Sequence, residues 1–207
     1  EIHMAMGELI SGINLAHENI PRTNYELEAE AMKLDGNDFF CGLTFPVGDT
    51  FASFIPGGWG GTVVGLSSID GMDAAENETA TFKQFKTHQW YHFRVRVTPG
   101  KIQCWVDDEM VVDLLLEDRA IALRAGPIEL SVPIGITSFQ TVARIRGPVR
   151  TQVALQVRRR NAEGIDGVHE LQFIRAEVPI PNVSWRIGDD GVGLITIDNF
   201  SEQTVRL

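Results

Sequence analysis

The sequence predicts an all-β protein, an antiparallel β-sandwich or jelly roll with a β-rich extension at its C-terminal end. Three observations carry that prediction. Apolar and polar residues alternate with period two through several segments, the pattern of a strand with one buried and one solvated face. Glycine, proline, aspartate and asparagine punctuate those segments at short intervals, as hairpin turns require. No stretch sustains the 3.6-residue periodicity of a long helix, so short strands must supply the core.

The segments follow in order. In Tyr25–Ala31 (YELEAEA), Tyr25, Leu27, Ala29 and Ala31 alternate with Glu26, Glu28 and Glu30. Phe39–Phe45 and Thr62–Leu66 are apolar runs bounded by turn residues. Trp90–Val97 (WYHFRVRV) sets Tyr91, Phe93, Val95 and Val97 against His92, Arg94 and Arg96. The turn Thr98–Lys101 (TPGK) leads into Ile102–Asp107 (IQCWVD), where Ile102, Cys104 and Val106 alternate with Gln103, Trp105 and Asp107, so the two segments form a hairpin. Further strands are expected at Glu109–Leu115, Ile128–Val132, Thr141–Ile145, Gln152–Arg158, His169–Arg175 and Leu194–Ile197.

The 207 residues suit one large all-β domain, or one domain plus a fragment. A hydrophobic fraction of 43% is that of a globular chain, and no apolar run approaches the ~20 residues of a membrane-spanning helix. The net charge of −10 opposes a phosphate backbone, which excludes nucleic acid as a partner; Arg158–Arg160 is the one basic cluster and reads as a solvated strand end. Cys41 and Cys104 lie in apolar runs without zinc or redox spacing and are expected as buried free thiols. His3, His17, His88, His92 and His169 are scattered without ligand spacing. No signal peptide is visible; the opening EIHMAM reads as an expression scar over residues 1–6, which leaves room for a native leader to have been removed, and the protein is expected to be secreted or periplasmic in origin.

Two regions invite a functional reading. If the apolar face of the hairpin lies in the core, Arg94, Arg96, Gln103 and Trp105 share the opposite face. A tryptophan flanked by hydrogen-bonding groups suits a sugar, whose C–H faces stack on the indole while polar groups take its hydroxyls. The alternative is that Trp105 is covered and the arginines pair with Glu26, Glu28 or Glu30 across the sheet. The second region is Gly57–Thr79, GGWGGTVVGLSSIDGMDAAENET, glycine-rich around Trp59 and then rich in side-chain oxygen. Its glycines do not open a helix, so they serve tight backbone geometry and not a phosphate. Asp70 and Glu78 are the candidate carboxylates for glycoside hydrolysis, which uses a pair about 5–10 Å apart. Asp70, Asp73, Asn77 and Glu78 are candidate ligands to calcium, a cation that takes oxygen ligands from such loops; no cofactor is otherwise required. Asn77 is also a candidate sugar contact beside Trp59.

Taken in order, NYELEAEAMKLDGNDFFCGLTFPVGD, the Gly57–Thr79 block, the WYHFRVRV–IQCWVDDEMVVD hairpin and PIGITSFQTVARIR resemble the 3-keto-disaccharide hydrolase-like family over about residues 7–150. The resemblance implies a concanavalin-like lectin/glucanase sandwich and a glycan or oligosaccharide as partner: recognition of carbohydrate, or hydrolysis of 3-keto-glycosides, or a non-catalytic interaction or assembly module. The strand acids of glucanases of this fold follow Glu-x-Asp-x-x-Glu; Glu26, Glu28 and Glu30 are the nearest echo and depart from it. Residues 147–204, with VALQVRRRNAEGIDGVHELQFIRAEVPIPNVSW and GVGLITIDNFSEQT, resemble the end of the PDZ domain and the start of the core of carboxyl-terminal processing proteases. Lacking the carboxylate-binding loop, nucleophile and lysine, this segment is not expected to be an active peptidase. The expected organisation is therefore a sandwich over 7–150 and a β segment over 151–207. A lone hairpin is marginal in water, so the latter is expected to pack on the sandwich or to pair with a second copy.

Overall fold

A computed structural model of the chain describes residues 1–7, 9–15 and 20–147, together with the backbone of four strands beyond them. The chain divides into two compact units, Glu1–Pro148 and Val149–Leu207. In the first, twelve strands run β1 (Ile2–Met4), β2 (Ile10–Leu15), β3 (Tyr25–Gly36), β4 (Gly42–Val47), β5 (Thr50–Gly57), β6 (Val63–Ser67), β7 (Thr81–Phe82), β8 (Trp90–Val97), β9 (Lys101–Val106), β10 (Glu109–Leu115), β11 (Ile134–Phe139) and β12 (Thr141–Arg146). They form two six-stranded antiparallel sheets, ordered β1-β12-β3-β8-β9-β10 and β2-β11-β4-β5-β6-β7. This is the all-β sandwich that the alternation predicts.

The alternation explains which residues meet. On β8, Tyr91, Phe93, Val95 and Val97 are buried while Trp90, His92, Arg94 and Arg96 are half-buried. On β9, Ile102, Cys104 and Val106 join the same core, and Ala29 and Ala31 join it from β3. The second sheet contributes Leu43, Phe45, Ala52, Phe54, Val64 and Leu66. At the centre Phe40, Phe85, Tyr91 and Phe93 meet edge to face or tilted, with ring centroids between 5.0 and 6.5 Å apart. Such contacts add to area burial, the dominant favourable contribution to folding. Cys41 and Cys104 are buried, unbridged, and held far above the usual thiol range by burial alone.

Five strands of this unit, β1, β2, β5, β7 and β11, escaped the period-two reading. In β5 the six residues from Ala52 to Gly57 are all buried, because both of its faces are covered; the same holds for all of β4. A strand covered on both faces loses its alternation. β2 and β11 pair with each other from Ile10↔Phe139 to Leu15↔Ile134, yet neither alternates strongly. β1 pairs with β12 through Ile2↔Ile145 to Met4↔Ala143, so residues 2–4 form an edge strand and Met4 is buried.

One expected strand is corrected. Ile128–Val132 is not extended: Pro127–Ser131 is a 3₁₀ turn. Pro127 presets the first turn, and the Gly126 N–H donates to Glu129 Oε2 at 3.1 Å. This turn belongs to the long connection from β10 to β11. Ile128 packs on Phe39 and Ile55, and Ile55 shares its face of β5 with Ser53, opposite the core residue Phe54. The connection therefore lies over the outer face of the second sheet.

Among the described residues, the second unit holds two hairpins. β13 (Gln152–Arg160) pairs with β14 (Asp166–Ile174), and β15 (Val183–Ile187) with β16 (Gly193–Ile197). The expected strand His169–Arg175 is found from Asp166 to Ile174, and Arg175 lies outside the described residues.

Candidate functional site

The Gly57–Thr79 block is held together by hydrogen bonds from its own side chains. β5 ends in a left-handed turn in which Gly57 has φ 82°, Trp59 φ 48°, Gly60 φ 88° and Gly61 φ 98°. Glycine occupies this region freely, whereas a tryptophan there is strained and marks a place to look for function. The turn holds the Trp59 side chain at the surface, 38% exposed. The Arg124 guanidinium lies 5.7 Å from the centre of its ring, and Arg124 Nε stands 3.3 Å from Asp73 Oδ2. Asp73 Oδ1 in turn accepts the Ser67 hydroxyl at 3.2 Å. Asp38 braces the turn from behind, accepting from the Gly60 N–H at 3.4 Å and the Phe39 N–H at 2.8 Å.

Asn77 organises the rest of the loop from inside. It is buried, and its Nδ2 donates to the carbonyls of Leu66 at 2.7 Å, Asp73 at 2.9 Å and Met72 at 3.1 Å. Its Oδ1 accepts from Thr79 N at 2.9 Å and Thr79 Oγ1 at 2.6 Å. The loop folds closely onto β6: a Cβ at Gly65 would stand 3.0 Å from Thr79 Oγ1 and 3.2 Å from the Ala74 carbonyl.

Asp70 and Glu78 meet on one guanidinium. Arg119 donates to Asp70 Oδ2 at 2.7 Å and reaches Glu78 at 2.5 Å. The Ala120 N–H donates to Asp70 Oδ1 at 2.8 Å; with Arg119 it holds the Asp70 carboxyl below its ordinary range, and the Asp70 and Glu78 carboxylates in turn raise Arg119. An open groove of about 610 Å³ runs beside them, between Glu78–Thr81 and Val111–Leu115, with Glu117, Asp118 and Arg119 at its end. Among the described residues no group of three acidic, cysteine or histidine side chains stands close enough to hold a metal ion. The carboxylates proposed for calcium face arginines, and Asn77 presents its amide hydrogens to the loop carbonyls.

The hairpin candidates lie elsewhere, on the outer face of the first sheet and so on the opposite side of the sandwich from the connection. Arg94 pairs in register with Glu28 and with Trp105, and Arg96 with Glu26 and Gln103. The Arg94 guanidinium lies 4.1 Å from the centre of the Trp105 ring and that of Arg96 5.4 Å from it, leaving Trp105 only 9% exposed. Arg96 is also ion-paired with Glu26, His92 Nε2 stands 3.5 Å from Glu28, and Arg146 pairs with Glu30 at 2.5 Å while lying 4.1 Å over Trp90. The cross-strand pairing weighed from the sequence is present, and the face of Trp105 is occupied by guanidinium.

The structure thus brings Trp59, Asp70, Asp73, Asn77 and Glu78 into one loop assembly and sets Arg94, Arg96 and Trp105 apart from it. Sequence reasoning missed Arg119 and Arg124. Both lie in the β10–β11 connection, five residues apart. The signal that could have found them is the need of an acidic loop for cations.

Fold and loop define a class: an antiparallel jelly-roll sandwich with a polar, aromatic-bearing loop assembly on one side. The chain belongs to the 3-keto-alpha-glucoside-1,2-lyase-like domain family, whose profile matches residues 11–144, more than half of the 207. That match ends before residues 147–204 and lends no support to their protease-like resemblance. Among solved structures, the carbohydrate binding module CBM66 from Bacillus subtilis is similar at 13% identity and a TM-score of 0.43, over 68% of this chain and 81% of that one. No curated protein matches the chain. Among the described residues, no helix is long and apolar enough to cross a membrane.

Proposed function

We propose that the sandwich recognises carbohydrate, an α-glucoside in particular, through Trp59 and the polar groups around it. The observation that carries the reading is the geometry of Trp59: an indole held outward by a left-handed turn and 38% exposed where Trp105 is 9% exposed, with the Arg124 guanidinium 5.7 Å over its ring, Asp73 paired to that arginine and Asp38 bonded to the turn. An aromatic face with a few placed polar groups is what a sugar ring requires. The family description, which names a 3-keto-alpha-glucoside, supports the choice of sugar. Isothermal titration calorimetry with methyl α-D-glucoside and maltotriose tests it. Trp59→Ala is expected to abolish binding while leaving the fold intact; unchanged binding refutes the reading.

A second reading, cleavage of 3-keto-glycosides, is favoured by the Glu78, Glu117 and Asp118 carboxylates along the 610 Å³ groove. Incubation with 3-keto-trehalose decides it: no free sugar released removes it. The β13–β14 hairpin is proposed as the element through which copies associate, and a strictly monomeric species in light scattering counts against that.

A further inference from the structure

We infer a second aromatic subsite at Phe82, which extends the Trp59 site into a surface for a glycan of at least two linked sugar rings; it rests on the carbohydrate reading above. Phe82 is 74% exposed, the most exposed aromatic side chain among the described residues. It lies on β7, the edge of the second sheet, directly opposite Val63 of β6, and Val63 is bridged on its other side to Gly58, the residue before Trp59. Gly58, Val63 and Phe82 are therefore lateral neighbours in one row. Two strand spacings set the Phe82 backbone roughly 10 Å from the base of the Trp59 turn, the scale of two linked pyranose rings.

The two rings also share a side of the sandwich. Val63, Gly65 and Ser67 alternate with the core residues Val64 and Leu66, so Phe82, in register with Val63, faces outward. Trp59 is tied to that same side through Arg124 and Asp73, whose carboxylate holds the outward Ser67 hydroxyl. An exposed phenyl ring on an edge strand adds little to the core and invites unwanted pairing, so the fold alone does not call for it. The committed occupant is an oligosaccharide running from Trp59 toward β7.

Calorimetry on the full chain with methyl α-D-glucoside, maltose and maltotriose tests the subsite. The wild-type protein is expected to bind maltose and maltotriose more tightly than the monosaccharide. Phe82→Ala is expected to weaken maltotriose binding by roughly two- to tenfold, the value of one aromatic contact, and to leave methyl α-D-glucoside unchanged, while Phe82→Trp restores the gain. Equal wild-type affinity for all three sugars, or an unaltered chain-length gain in Phe82→Ala, overturns the subsite. Wild-type binding to none of them, or full binding by Trp59→Ala, overturns the carbohydrate reading beneath it. A dimer in sedimentation velocity that Phe82→Ala converts to monomer reassigns the ring to an interface between copies and also overturns the subsite.

Discussion

Asn77→Ala offers the sharpest test of how the Gly57–Thr79 loop is held. The side chain has two amide hydrogens facing three carbonyls, at 2.7, 2.9 and 3.1 Å, so one hydrogen is shared. Its oxygen accepts two further bonds from Thr79, at 2.9 and 2.6 Å. Alanine thus removes about four hydrogen bonds' worth of interaction, each contributing about 1 kcal/mol net, and strands polar groups in a buried setting. The expected loss is about 3–5 kcal/mol, a large share of the ~5–15 kcal/mol of a native domain. Urea unfolding followed by tryptophan fluorescence and far-UV circular dichroism measures it. With a slope of roughly 2 kcal/mol/M, the midpoint should fall by about 1.5–2.5 M at unchanged slope. Asn77→Asp keeps the acceptor, loses the donors and sets a carboxylate against the same carbonyls, so it should be no milder. A midpoint shift under about 0.5 M in both variants refutes the hub. Loss of methyl α-D-glucoside binding at full stability would instead make Asn77 a ligand contact.

Other outcomes follow from the same geometry. The folded Asp70 carboxyl titrates below its unfolded value of about 3.9, so its contribution is present above that value and lost as pH falls through the folded one. Asp70→Asn should therefore lose less stability between pH 7 and pH 3 than the wild type; identical pH profiles refute the clamp. Cys41 and Cys104, buried and with raised pKa values, should resist a thiol-reactive dye in the folded protein at pH 7.5 and react fully in urea; rapid labelling of the native chain contradicts their placement. Trp105→Ala should lower stability by about 3–5 kcal/mol, since the ring is packed, whereas Trp59→Ala should change it by less than about 1 kcal/mol. Equal losses in a thermal or urea melt would erase the distinction between the packed and the presented indole.

That distinction marks the limit of what the chain discloses before it folds. The Trp90–Val97 strand was legible because each residue reports one face, and its ends match the structure residue for residue. β5 was not, because burial on both faces erases the alternation. Ile128–Val132 is apolar enough for a strand, yet Pro127 and the Gly126–Glu129 bond turn it into a 3₁₀ bend. At the site, the acidic residues were visible and their partners were not. Arg119 and Arg124 arrive from a connection some forty or more residues downstream, and sequence spacing carries no record of such a meeting. Alternation placed Trp105 and Arg94 on one face correctly, but it could not say that the guanidinium lies over the ring.

Those arginines bear on whether the loop binds or cleaves. A glycosidase acid must hold its proton near neutral pH, which demands a raised pKa. Asp70 is pushed the other way by the Ala120 N–H and Arg119, so it stays ionised and cannot serve as the acid. Glu78 shares the same guanidinium, and a carboxylate so engaged must first leave Arg119 before it can act as a base. Asp73 is likewise committed to Arg124 and Ser67. The loop thus directs its charges inward, onto its own cations, and the net effect is a stiff frame that presents Trp59. A frame of that kind favours holding a sugar over breaking one. Along the groove, Glu117 and Asp118 are the carboxylates that carry no ion pair among the described residues, and they are the ones a test of cleavage should replace first.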